Sequence, residues 1–124
     1  MTQTLHRKAM DYNFQADQAK SQGNEALYKE LLEKAYQCEY DAAMTLYAVS
    51  NCEPARSILF RSAGWLAYNL GNYVQANKLA WVGYTHTIHE VMKKELLDLA
   101  ADSSKMMKKE LKERDFVNKK ITDL

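Results

Sequence analysis

Apolar residues recur along this chain at the three- and four-residue steps of an α-helix, and short polar breaks carrying glycine, asparagine or proline divide them. Leu5, Ala9, Tyr12, Ala16 and Ala19 step by four, three, four and three, which predicts a first helix over about 4–21 with a narrow seam. Ser21-Gln22-Gly23-Asn24 ends it, with Gly23 placed for a left-handed C-terminal residue and Asn24 for the next N-cap. Tyr28, Leu31, Leu32, Ala35, Cys38, Ala42, Leu46 and Val49 keep helical spacing almost to Ser50, so the second helix is expected to be long. Ser50 to Pro54 reads as a connector.

The next stretch organises the rest. Leu59, Ala63, Leu66 and Leu70 mark one face of a third helix, and Phe60 and Ala67 widen it. Pro54 precedes that helix, where its fixed φ and missing N–H do no harm. Gly71 follows, then Asn72 with Gln75 three residues on, a capping-box spacing. The fourth helix shows a face of small residues, Ala76, Ala80 and Gly83, with Leu79. Two backbones can approach closely across such a face, as in a tight antiparallel pair. Thr87 and Glu90 repeat the capping-box spacing, so a fifth helix is expected from near Ile88, with Ile88, Met92, Leu96, Leu99 and Met106 inward. Asp102-Ser103-Ser104 weakens the pattern and suggests a kink or a fresh N-cap. The charged stretch after Met107 is expected to project, to cap the stack or to fray.

The expected fold is therefore all-α, with about five helices: a hairpin over 4–50, a second over 54–85 and a long C-terminal helix over 87–115, in one domain. Gly23-Asn24 aligns with Gly71-Asn72, and on that register Ala16, Ala19, Leu32 and Ala35 fall on Gly64, Ala67, Ala80 and Gly83. Small or apolar character is kept at each, a weak internal repeat.

Gly64, Gly71-Asn72-Tyr73, Ala76, Ala80 and Gly83 together resemble a tetratricopeptide repeat. Gly64, Ala76 and Gly83 fill that family's small positions, Asn72 replaces its usual turn aspartate, and Phe60 takes the place of its early aromatic. Ala67 stands where the family has a tyrosine, and no proline follows Tyr84. The resemblance covers about a quarter of the chain. It implies a TPR-like right-handed α–α superhelix whose first helix in each hairpin lines a groove for a peptide. By register, the groove positions would be Asn13, Asp17 and Lys20 from the first hairpin, and Ile58, Arg61, Trp65, Tyr68 and Asn69 from the second. Arg61, Trp65 and Tyr68 suit binding anchors, because they bury much area and keep polar contacts. The competing reading is that Trp65 and Tyr68 cover the core. The carboxylate clamp of some members is not expected, since Asp17 and Trp65 stand where its asparagines would be. The first half alone also resembles a microtubule-interacting-and-transport three-helix bundle, which the last two helices fit poorly.

Composition narrows the function classes. A hydrophobic share of 47% over 124 residues supports a folded domain with a core. A net charge of +1 offers no global argument for nucleic acid or an anionic membrane as partner. No apolar run reaches a membrane span, and the first residues lack the apolar core of a secretory signal, so a cytoplasmic location is expected. Cys38 and Cys52 lie far apart in sequence and read as a reduced, partly buried pair. His86, His89 and Glu90 could converge on a metal if all were helical, but the expected cap interrupts them, and a surface joint is the better reading. Lys105 to Lys120 interleaves lysines with Glu110, Glu113 and Asp115, the pattern of a solvated face. No P-loop, dinucleotide turn, nucleophile elbow or HExxH is present. The expectation is a non-enzymatic protein-interaction module without a cofactor, binding a protein or peptide and open to homodimerisation. The alternatives are a self-assembling structural subunit and a metal-dependent enzyme or sensor at His86, His89 and Glu90.

Overall fold

A computed structural model describes residues 1–123 and shows five α-helices: α1 Thr2–Ser21, α2 Glu25–Thr45, α3 Ala55–Asn69, α4 Tyr73–His86 and α5 Glu90–Thr122. Among the described residues there is no strand. The fold is all-α, as the spacing predicts.

The two short turns are built alike. Gly23 and Gly71 take φ of 75° and 80°, the left-handed region that glycine reaches without a Cβ penalty. Asn24 and Asn72 then donate their backbone N–H to Ala19 and Ala67, five residues back, at 2.9 Å each. Their side chains accept from the N–H of Leu27 and Gln75 at 3.1 and 3.3 Å. Only half of the expected capping box forms at Asn72. Gln75 turns its amide to the Tyr36 hydroxyl, at 3.0 Å, and so ties α4 to α2.

Each turn reverses the chain. Thr2 meets Thr45, and His6 meets Glu39, so α1 and α2 run antiparallel. A Cβ on Gly64 of α3 would press into Leu99 of α5 and lie near Ala76 and Leu79 of α4, and one on Gly83 of α4 would press on Phe60 and Leu96. Three helices thus meet at two glycines. The core follows the predicted stripes: Ala16, Ala19, Leu31, Leu32, Ala35 and Leu66 pack together, and so do Ala42, Ala43, Leu59, Phe60, Ala63 and Leu79. A third cluster joins Ala67, Ala76 and Ala80 to Leu99 and Ala100.

Several boundaries differ from the sequence reading. α2 ends at Thr45, not near Ser50, and the carbonyls of the turn that follows it find a partner off the helix. The Arg56 guanidinium donates to the carbonyls of Leu46, Tyr47 and Val49 at 3.4, 3.1 and 2.9 Å, and Glu53 holds that guanidinium at 2.7 Å. Val49 is consequently exposed. On α2 itself the inward stripe passes through Glu39, which is fully buried, while Cys38 is only half-buried. α5 begins at Glu90, not Ile88: Thr87 is extended, and its hydroxyl accepts from the His89 N–H at 3.2 Å instead of capping at Glu90. Thr87 takes the buried place, and Ile88 faces outward.

No break occurs at Asp102–Ser104. The Ser103 hydroxyl bonds back to the Leu99 carbonyl at 2.7 Å, within the helix, and the Asn77 amide of α4 reaches Ala100 O, Ser103 Oγ and Ser104 Oγ, each at 3.1 Å. The serines stitch α4 to α5. α5 then continues to Thr122, past the expected end at 115, and residues 108–123 are exposed along its projecting end.

Candidate functional site

α1 and α3 lie side by side, and a groove runs between them. Its lower part is a hollow of about 310 Å³ lined by Met10 and Asn13 of α1 and by Arg61, Ser62, Trp65, Leu66 and Asn69 of α3. On the other side of α3 lies a second hollow of about 310 Å³, lined by Arg61 and Trp65 with Glu95 and Asp98 of α5. Trp65 and Arg61 therefore belong to both. The helical spacing of Arg61 and Trp65, four residues apart, sets them one above the other on the exposed ridge of α3.

Arg61 is half-buried and pairs with Glu95, and its Nη1 lies 3.8 Å from the Met92 sulfur. That pair ties α3 to α5 across the second hollow and leaves Asp98 beside Trp65. The Trp65 ring meets Tyr68 edge-on at 5.2 Å, and Tyr68 meets Tyr73 edge-on at 5.1 Å. These T-shaped pairs hold the indole in place from behind.

Four of the eight expected groove residues thus come together: Asn13, Arg61, Trp65 and Asn69. Tyr68 stands outside both hollows, and Trp65 and Tyr68 both pack on the core cluster of Ala67, Ala76, Ala80, Leu99 and Ala100, so each also covers the core. Asp17 and Lys20 are exposed further along α1, outside both hollows, and the Lys20 ammonium sits over the Tyr28 ring at 5.1 Å. Ile58 lies at the upper end of the same α1–α3 groove, in a hollow of about 250 Å³ with Thr2, Gln3, His6, Leu46, Ala55 and Leu59.

Met10, Ser62, Glu95 and Asp98 were not picked out by sequence reasoning. Met10 and Ser62 lie three residues before Asn13 and Trp65, so they were legible once those two were chosen. Glu95 and Asp98 depend on where α5 crosses α3, and no local spacing reveals that.

His6 and Glu39 were also missed. Glu39 has 0% exposure, and its two carboxylate oxygens lie 2.8 and 3.1 Å from His6 Nδ1. Burial pushes its pKa above the usual carboxyl range, against the lowering effect of the His6 hydrogen bond and charge. The stripe Leu32, Ala35, Glu39, Ala42 held the signal, a carboxylate at a core position.

His86, His89 and Glu90 do not converge. His86 Nδ1 lies 2.8 Å from the Val82 carbonyl, and its ring stands against Tyr47 at 5.5 Å. His89 is the N-cap of α5, and exposed Glu90 pairs with Lys93 at 3.6 Å. Among the described residues no three His, Cys, Asp or Glu side chains gather as metal ligands. Cys38 and Cys52 are free thiols, and the Cys52 sulfur lies 3.3 Å from the Val49 carbonyl. Among the described residues no helix is long and apolar enough to cross a membrane. Compared with protein-family models, curated proteins and solved structures, the chain matches none.

Proposed function

We propose that this chain is a non-enzymatic protein-interaction module that takes a protein or peptide segment on the surface formed by α1, α3 and α5. The observation that carries the reading is Trp65: a half-buried indole, held from behind by Tyr68, that forms part of two adjoining hollows with Arg61. An indole held rigid beside a guanidinium, with an amide on either side at Asn13 and Asn69, matches the composition of interface anchors. Phe14, four residues after Met10 on α1, is exposed and adds apolar area to that helix. The resemblance of the sequence to a tetratricopeptide repeat points to the same reading, since that family takes peptides in the groove of its hairpins.

The experiment is a pull-down from the source lysate with wild type and Trp65→Ala, after matching their helicity, followed by titration of any captured partner. Trp65→Ala is expected to weaken binding by about 2 kcal/mol, roughly thirtyfold, as for an interface hot spot. Equal affinity in a folded variant overturns the assignment.

A second reading, self-assembly, is favoured by the projecting end of α5. Leu111, Phe116, Val117 and Ile121 are exposed there, and Phe116, Val117, Lys120, Ile121 and Asp123 line a shallow hollow. An exposed apolar stretch of this kind marks a contact surface.

A further inference from the structure

The His6–Glu39 pair sits beneath the upper hollow of the α1–α3 groove, and the reading of Trp65 makes no use of it. A carboxylate without exposure is expensive to bury unless its charge is compensated. Apolar residues would fill that place on the α2 stripe as well as Ala35 and Ala42 do on either side. Instead both Glu39 oxygens face one atom, His6 Nδ1. One hydrogen lies between the two groups, on the ring or on the carboxyl. Glu39 thus takes Nδ1 and leaves Nε2 as the ring nitrogen that can meet a ligand, as a donor when it carries a hydrogen.

With Nδ1 turned to Glu39, the ring edge bearing Nε2 is the edge left over, and the His6 side chain is 43% exposed. His6 lines the hollow with Leu46, Ala55, Ile58 and Leu59, and Thr2, also on its wall, has its hydroxyl engaged by Thr45. The result is a largely apolar recess with the His6 imidazole, held by Glu39, and the Gln3 side chain in its wall, the composition of a binding site. Its volume of about 250 Å³ exceeds the roughly 150 Å³ that holds a benzene ring, so it has room for a branched or aromatic side chain and the amide next to it.

We infer that this hollow is a subsite for one apolar residue of a bound peptide, with His6 Nε2 donating to a carbonyl oxygen beside that residue and Glu39 acting as a positioning residue for the imidazole. A peptide is the occupant because the hollow of Met10, Asn13 and Trp65 follows on the same two helices, Met10 four residues after His6 and Arg61 three after Ile58, so that an extended chain along α1 and α3 can reach both. That choice rests on the groove reading. The donor and the apolar recess stand without it.

The test uses the full chain and N-acetyl-leucinamide as probe, followed by NMR of methyl, indole and imidazole signals. A fragment of this size binds in the millimolar range by ordinary ligand efficiency. Saturable shifts are expected at the Leu46, Ile58 and Leu59 methyls and at the His6 ring. Replacing His6 alone would strand a buried carboxylate, so the pair is exchanged together, His6→Phe with Glu39→Leu, and about tenfold weaker binding is expected. Ala55→Leu fills the recess from exposed Ala55 without touching the pair, and should abolish the shifts. Glu39→Gln should move the His6 ring nitrogen shifts toward a mixed tautomer and weaken binding with the fold unchanged. Shifts confined to Trp65 and Asn13, unchanged affinity in the double variant, or no saturable shift overturns the subsite. The first of these leaves the Trp65 anchor standing, and loss of partner binding only in Trp65→Ala does not bear on the recess.

Discussion

Glu39 shows what a single residue does when a helix stripe carries the wrong polarity for its place. Its carboxyl is buried without exposure, and burial raises its pKa above the ordinary value of 4.5 despite His6. A carboxyl whose pKa is raised on folding contributes stability that is fully present below its unfolded pKa and lost as the pH rises through its folded one. Wild type is therefore expected to lose stability relative to Glu39→Gln as the pH climbs from about 4.5 through that raised value. Urea midpoints measured for both proteins across that range check the sign, and parallel curves would refute it. Arg56 makes the same point at the other end of the hairpin. One guanidinium, oriented by Glu53, collects three carbonyls of the turn that follows α2. Both residues were plain in the sequence as charges, but which atoms they would meet was not.

At the scale of the element, the glycine in α3 works by its absence of a side chain. Gly64→Ala gains about 1 kcal/mol of helix propensity. It also drives a methyl into Leu99, which is buried and cannot swing into solvent, and overpacking of this kind costs about 1–3 kcal/mol. Net destabilisation of about 1 kcal/mol is expected, read as a lowered thermal midpoint, and an unchanged or raised midpoint would show that Leu99 yields freely. α5 has two parts with different duties. Up to Ser104 it is held by Met92, Leu96, Leu99 and the Asn77 contacts. Beyond residue 107 every described residue is exposed. Ending the chain after Met107 should leave the near-UV spectrum of the body unchanged. A concentration-dependent mass that disappears in the shortened chain would establish self-assembly through the projecting end, and a monomer at both lengths would remove that reading.

Over the whole molecule, helix existence was legible and helix meeting was not. The stripes of Ala9, Ala16 and Ala19, of Leu59 and Ala63, and of Ala76, Leu79 and Ala80 are all buried where three- and four-residue steps place them. The two Gly-Asn turns form as their residues require, because only glycine enters the left-handed region cheaply and asparagine caps the next helix. The candidate site was half legible. Asn13, Arg61, Trp65 and Asn69 gather, because register alone carries residues of α1 and α3 to facing positions. Tyr68 turns to the α4–α5 side, and Asp17 and Lys20 lie past the hollow. Local periodicity sets which face a residue occupies but not how far along its neighbour it falls.

By itself, the sequence determined five helices, their inward faces, the two tight turns and the small residues that let the helices approach, since each arises from steric and hydrogen-bonding preferences within a few residues. Only the tertiary structure decided the end of α2 at Thr45, the unbroken run of α5 through Ser103, the closure of the second hollow by Glu95 and Asp98, and the burial of Glu39 under His6. Each of these joins residues from separate helices or across a turn, and its energy exists only once the chain has brought them together.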